Sequence, residues 1–326
     1  MTRQPLRGIG AIALLALTLN AASALAQAWP SRPILAIIPF SAGNANDVVG
    51  RVVLDQLSQQ LGQPMVVENR AGAGGTTGVA FAAKATPDGY TILVHSSTFS
   101  AAQAIYKTLP YDTLGDFTPV IPLGLQPTVL VASPSKGWKS AKELIAAAKA
   151  KPNALTFASA GIGAASHLAA ERLRISAGFE ALHVPYKGPN EALADVVTGR
   201  VDFYFLPIAP ALPLIRDGKL VPLAVSTAAR AAALPDVPTV AELGLKDASY
   251  QFWSGLFLQV KTPKPIVDKL YEETRKALAV PGVQSKLANL GVDSMPMTQA
   301  DFVTYFRADV LSTVKLAKDA GIPQTD

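Results

Sequence analysis

The chain of 326 residues contains no cysteine. Disulfides, thiolate zinc sites, iron–sulfur clusters and cysteine nucleophiles are thereby excluded. Histidine occurs only at positions 95, 167 and 183, without metal-ligand spacing, so no metal site is expected. Trp29, Trp138 and Trp253 are the only tryptophans, and they form no ladder of the kind that stacks on single-stranded nucleic acid. Charged residues make up 16% of the chain, against a usual ~25%. The net charge is +5, but Lys and Arg are scattered with no basic run. A face that tracks phosphates, and hence a nucleic-acid partner, is not expected. What the chain does have is apolar residues, at 49%. That excludes disorder as the main state, and the length suits two domains of about 100–200 residues each.

Part of the apolar share sits at the N-terminus. Arg3 and Arg7 precede the apolar run GIGAIALLALTL at 8–19, and Ala24-Leu25-Ala26 supplies small residues before Gln27. This three-part pattern reads as a cleaved secretory signal over 1–26. The run is short against the ~20 residues of a membrane span. No cysteine follows it to carry a lipid. The mature protein is therefore expected in the periplasm, with a net charge of +3 once Arg3 and Arg7 are removed.

The remainder alternates between strand and helix. PILAIIPF at 33–40 is apolar without alternation, the pattern of a strand buried on both faces of a parallel sheet. A helix follows to Gly62, with Asn46 or Asp47 as candidate caps. Strands are expected at 64–69 and 89–97 around a second helix, the βαβ rhythm of an α/β fold. After a Pro-rich interval at 110–127, strands are expected at 129–134, 154–161, 181–186, 201–206 and 220–226. Helices are expected at 140–149, 164–177 and 191–198, with a turn and short helix at 235–243. A strand at 252–260 and helices at 265–279, 283–290 and 302–321 complete the chain, and the last section is expected to pack back on the first domain.

Two strand–loop–helix junctions stand out. The first is Phe40, Ser41, Ala42, Gly43, Asn44, Ala45, Asn46 and Asp47, where a strand end meets a helix start. The second, Ser159, Ala160, Gly161, Ile162, Gly163, Ala164, Ala165, Ser166 and His167, repeats that arrangement. Free N–H groups gather at helix N-termini and favour anions, and open α/β sheets bind ligands at such strand ends. Two matching anion sites would close a cleft from both sides. Ser96, at the end of the third strand, and Lys187, in the Tyr186-Lys187-Gly188 turn, are further candidates. The bland readings are helix capping for the loops and a solvated turn for the lysine. A third glycine-rich stretch, Gly72 to Gly78, has GxGxxxG spacing and no following Lys-Ser/Thr, so it does not read as a nucleotide site. No GxSxG elbow is present, and neighbouring Ser166 and His167 would point about 100° apart on a helix. No catalytic residue or cofactor is assigned.

Several longer segments carry a resemblance: WPSRPILAIIPFSAG, QLGQPMVVENRAGAGG, ATPDGYTILV, KTLPYDTLGDFTPV, FASAGIGAASHLA, HVPYKG, ALPDVPTVAELG and KTPKPIVDKL. Along essentially the whole mature chain the sequence resembles the Bug, or tripartite tricarboxylate transporter, family of extracytoplasmic substrate-binding proteins. The resemblance implies a type II periplasmic-binding-protein fold with two α/β domains, here 27–125 with 251–326, and 126–250. It implies a monomer that captures a small organic acid, with dicarboxylates and aromatic carboxylates both candidates, and hands it to a two-subunit membrane permease. A ligand-presenting sensor and an exported α/β hydrolase are the alternatives. The chain departs from the family pattern in two places. Asn44 and Asn46 stand where glycine and a small hydroxyl residue are usual, and Leu206-Pro207 replaces an Asp-Asn pair. The second change implies a more apolar distal pocket around Leu206.

Overall fold

The computed structural model describes residues 29–245 and 247–325. The expected signal segment lies outside them. Two five-stranded mixed sheets organise the chain. In the first, β1 (Ile34–Ile38) lies parallel between β2 (Met65–Asn69) and β3 (Thr91–Ser96). Strand β10 (Phe252–Gln259) runs antiparallel between β3 and the edge strand β4 (Phe117–Gln126). In the second, β6 (Thr156–Ser159) is parallel to β7 (Leu182–Pro185) and β8 (Phe203–Pro207). Strand β5 (Thr128–Ala132) is antiparallel to β8 and to β9 (Val221–Val225). The chain thus leaves the first sheet after Gln126 and returns to it at Phe252.

Helices cover both faces, which is why β1 is continuously apolar. Ile34, Ala36, Ile37 and Ile38 are fully buried. On one face α1 (Ala45–Leu61) sets Val49, Val53, Leu54 and Leu57 against Ile34, Ala36, Ile38 and Val94. Gly50 permits this approach, because a Cβ there would lie 3.1 Å from Val94 and 3.2 Å from Ile38. The same face is completed by α8 (Lys264–Ala279) and α9 (Pro281–Asn289). The other face is aromatic. Phe99, on α3 (Thr98–Ile105), sits 5.3 Å from both Phe257 and Phe306. Phe302 and Phe306 come from α10 (Gln299–Asp319), which a Thr298–Asp301 capping box begins. The C-terminal section therefore packs on the first sheet.

Four local expectations change. The Pro-rich interval contains β4. Pro119 and Pro122 are tolerated because β4 is an edge strand whose pairing with β10 shifts register twice. Helix α3 was not foreseen, since STFSAAQAI carries small residues on every side. Helix α7 (Ile208–Arg216) follows β8 despite an internal Pro213. Residues 235–243 form turns around an isolated bridge from Thr239 to Val225, and no helix. Among the described residues no helix is long and apolar enough to cross a membrane.

Candidate functional site

A cavity of about 190 Å³ lies between the two halves. The first sheet contributes Phe40 after β1, Gly74 ahead of α2 (Thr76–Ala83), and Thr98, Ala101, Ala102, Ile105 and Tyr106 along α3. The second contributes Ala160, Ile162, Gly163 and Ala164, from the loop between β6 and α5 (Ala165–Ala177). None of these lining residues carries a charge.

The two loops singled out by sequence are not equivalent. In the first, Asn44 rather than Asn46 or Asp47 caps α1. Its Oδ1 accepts from the backbone N–H of Asn46 at 2.8 Å and of Asp47 at 3.1 Å. Its amide donates to the Ser41 carbonyl at 2.6 Å. The buried Asn46 amide donates to the Val94 carbonyl at 2.9 Å. The buried Asp47 carboxylate accepts from Gly43 N–H at 2.8 Å, Arg51 Nε at 3.0 Å and Asn69 Nδ2 at 2.9 Å. Burial alone would raise the Asp47 pKa, but these partners outweigh it and hold the carboxyl below its ordinary value. The α1 N-terminus is therefore already satisfied, and its first turn already carries an anion.

The second loop is built the other way. No side chain caps α5 and no acidic residue lies in its first turn. Ser166 and His167 sit there, yet their side chains turn back onto the preceding loop. Ser166 Oγ accepts from Ala160 N–H at 3.0 Å, and His167 Nδ1 accepts from Gly163 N–H at 3.1 Å. Ser159 Oγ accepts from Gly161 N–H at 3.1 Å. The loop is thus held by its own side chains, while the N–H groups of Ala165, Ser166 and His167 open the helix without an acidic partner. That leaves the positive end of α5 beside the cavity. Helices α2 and α3 also begin without a side-chain cap or an acid in the first turn.

The remaining candidates fall outside the cavity lining. Ser96 is buried and pairs with Thr98 Oγ1 at 2.9 Å, so it orients a lining residue. Lys187 is exposed on the turn after β7. Leu206 is 2% exposed and lies in the second sheet's core with Val129, Val131 and Ile208. It belongs to that core and not to the cavity lining.

Sequence reading missed the support behind the lining residue Phe40. His95 is buried, with its ring stacked on Phe99 at 4.8 Å and edge-on to Phe40 at 5.3 Å. Burial pushes its pKa down to about 3, so it behaves as a neutral aromatic support. The α3 residues were missed for the same reason as the helix itself. The C-terminus braces that helix: Thr325 N–H donates to the Ile105 carbonyl at 2.7 Å, and Lys107 N–H donates to the Thr325 carbonyl at 3.0 Å.

The model of the tripartite tricarboxylate transporter family receptor matches residues 49–322. The chain belongs to this family. A UPF0065 protein from the tcbD–tcbE intergenic region of Pseudomonas sp. strain P51 is 38% identical over 285 residues, covering 86% of this chain and 85% of that one. Among solved structures, R. palustris Rpa4515 with adipate has a TM-score of 0.80 at 31% identity, covering 91% of this chain and 100% of that one. The periplasmic binding protein BugD has a TM-score of 0.76 at 34% identity, covering 91% and 100%. The fold is accordingly that of the periplasmic binding proteins, and the function is that of a solute-binding receptor of this transporter family. The family is one of receptors rather than enzymes.

Proposed function

We propose that this receptor works in the periplasm and captures a small, apolar-bodied organic acid. One carboxylate rests on the N-terminus of α5, and the body fills the space beside Phe40, Ala101, Ala102 and Ile105. The observation that carries the reading is the asymmetry of the two loops. Asn44 and Asp47 satisfy α1, whereas α5 opens beside an uncharged cavity with its first-turn N–H groups uncapped. The size supports a compact ligand, since a dry cavity of about 150 Å³ is enough for benzene. The apolar character comes from the α3 side chains and Phe40, not from Leu206.

The two sheets are the two domains, 27–125 with 251–326 and 126–250, and the crossings after Gln126 and before Phe252 are the hinge. Closure brings the α5 loop onto α3, and ligand shifts the population toward the closed form by binding it better. A two-subunit permease receives the ligand.

A thermal-shift panel tests the reading. Benzoate, adipate, malate and citrate are compared with the neutral amides of the same acids. Ligand at about 100 times Kd adds ~2.7 kcal/mol to stability, worth a rise of roughly 4 °C in Tm for a protein of this size. At least one acid should give that rise while its amide does not. Equal stabilisation by acid and amide would refute an anion site.

A further inference from the structure

Beneath the α5 loop, two imidazoles stack face to face in a largely apolar site. His167 and His183 have ring centroids 3.9 Å apart and planes within 7° of parallel. Phe157 stacks on His183 at 4.9 Å. Each histidine holds a different part of the loop. His167 Nδ1 accepts from Gly163 N–H at 3.1 Å. His183 Nε2 lies 2.6 Å from Ser159 Oγ, which also accepts from Gly161 N–H and donates to the Gly161 carbonyl, both at 3.1 Å.

These bonds fix the protons. An Nδ1 that accepts from an amide carries no hydrogen, so neutral His167 has its proton on Nε2, which faces Glu171 Oε1 at 3.7 Å. The single hydroxyl proton of Ser159 goes to the Gly161 carbonyl. The set around Ser159 is then complete when His183 donates from Nε2. We infer that His167 and His183 are positioning residues that hold the carboxylate loop only as a pair of neutral Nε2–H imidazoles. The inference rests on the reading of α5 as the carboxylate site. A proton on His167 Nδ1 would release Gly163, the residue that meets α3.

The surrounding charges are few. Along α5, the Glu171 carboxylate lies 3.7 Å from His167 Nε2 and accepts from Arg174 Nε at 2.8 Å. Arg174 also reaches Glu180 beyond the helix at 2.8 Å. From β6 the pair meets Ser159 and Phe157, and Phe203 of β8 lies behind Phe157 at 5.7 Å. Burial is the largest cause that pushes the His183 pKa down to about 4, against an upward pull from Glu171. Its neutral form is therefore the one the fold selects at neutral pH.

The chain has only three histidines, so imidazole ¹H–¹⁵N correlation spectra of the intact protein assign them with one His→Gln variant each. At pH 7 the wild type should show His167 and His183 as neutral Nε2–H tautomers. His167→Asn places an amide oxygen where Nδ1 stood and should keep carboxylate affinity within about threefold. His167→Gln places its oxygen elsewhere and should lose at least tenfold, with a shifted Gly163 amide signal. An imidazolium or Nδ1–H tautomer at His167 would overturn the inference, and a wild-type spectrum with fewer than two neutral Nε2–H imidazoles would do so without any variant. Equal affinities for the Asn and Gln variants would overturn the positioning role while leaving the carboxylate reading intact. Failure of the wild type to bind any acid in the panel would remove both.

Discussion

Replacing Gly163 with alanine should weaken carboxylate binding by roughly 10- to 100-fold while lowering the stability of the ligand-free protein by only about 1 kcal/mol. Gly163 has φ +76°, in the left-handed region. Alanine there carries a conformational cost of about 1 kcal/mol whether or not ligand is bound. The second cost arises across the cavity. A Cβ on Gly163 would lie 2.7 Å from Ile105 Cγ1 and 3.1 Å from its Cδ1. Ile105 is 5% exposed and braced by Thr325, so it has little room to yield. Overpacking of this kind costs about 1–3 kcal/mol. It is felt only when the α5 loop sits against α3, which is the arrangement that binding selects. Gly62→Ala is the control: Gly62 has φ +63° and nothing within 4 Å of its added Cβ, so it bears the conformational cost alone. Calorimetric Kd values for both variants separate the terms. Trimming Ile105 to alanine in the Gly163→Ala background should restore part of the loss as a coupling energy. An unchanged Kd for Gly163→Ala would mean that the loop and α3 do not close on the ligand.

Removing the Asp47 carboxylate should have the opposite profile, a large loss of stability with little loss of binding. Asp47→Ala leaves Gly43 N–H and the Asn69 amide short of an acceptor and Arg51 short of its anion. A hydrogen bond to a charged group is worth about 1.5–3 kcal/mol. Arg51 is 44% exposed, so its ion pair is discounted for solvent screening. A total of about 3 kcal/mol follows, and a fall in Tm of roughly 5 °C. The pH dependence has a definite sign. The folded pKa of Asp47 lies below its ordinary value of 3.8. Its contribution is therefore fully present above that value and is lost as pH falls through the folded pKa. The stability gap between wild type and variant should be flat from pH 8 to 5 and close below about pH 4. Affinity supplies the functional half of the test. An anion bound directly on α1 would be repelled by Asp47, and Asp47→Asn would bind it several-fold more tightly. With the carboxylate on α5, Asp47→Asn should stay within about threefold of wild type.

Much of this arrangement was legible in the sequence, and the gaps have physical causes. PILAIIPF announced a strand buried on both faces because no residue in it could tolerate water. The two strand–loop–helix junctions were visible as small and polar residues between an apolar run and a helical pattern. Their inequality was not visible. It depends on whether a side chain reaches the first-turn N–H groups, as Asn44 does and Ala164 does not. Helix α3 escaped notice because it is buried all round by small residues and so lacks a polar face. Strand β4 was masked by two prolines that only an edge strand accepts. The pocket role inferred for Leu206 came from comparison with a family pattern, and strand alternation turns that side chain into the core instead. The stacked histidines are sixteen residues apart in the chain and meet only because β6 and β7 are adjacent and α5 crosses them.

The central claim is that one ligand carboxylate sits on the first turn of α5. The most direct measurement is a backbone ¹H–¹⁵N titration of the protein with the acid that gives the largest thermal shift. The Ala165, Ser166 and His167 amide protons should move strongly downfield on binding and gain protection from exchange. The Asn46 and Asp47 amides, already bonded to Asn44, should change little. Large shifts at Asn46 and Asp47 with none at 165–167 would contradict the account and place the anion on α1.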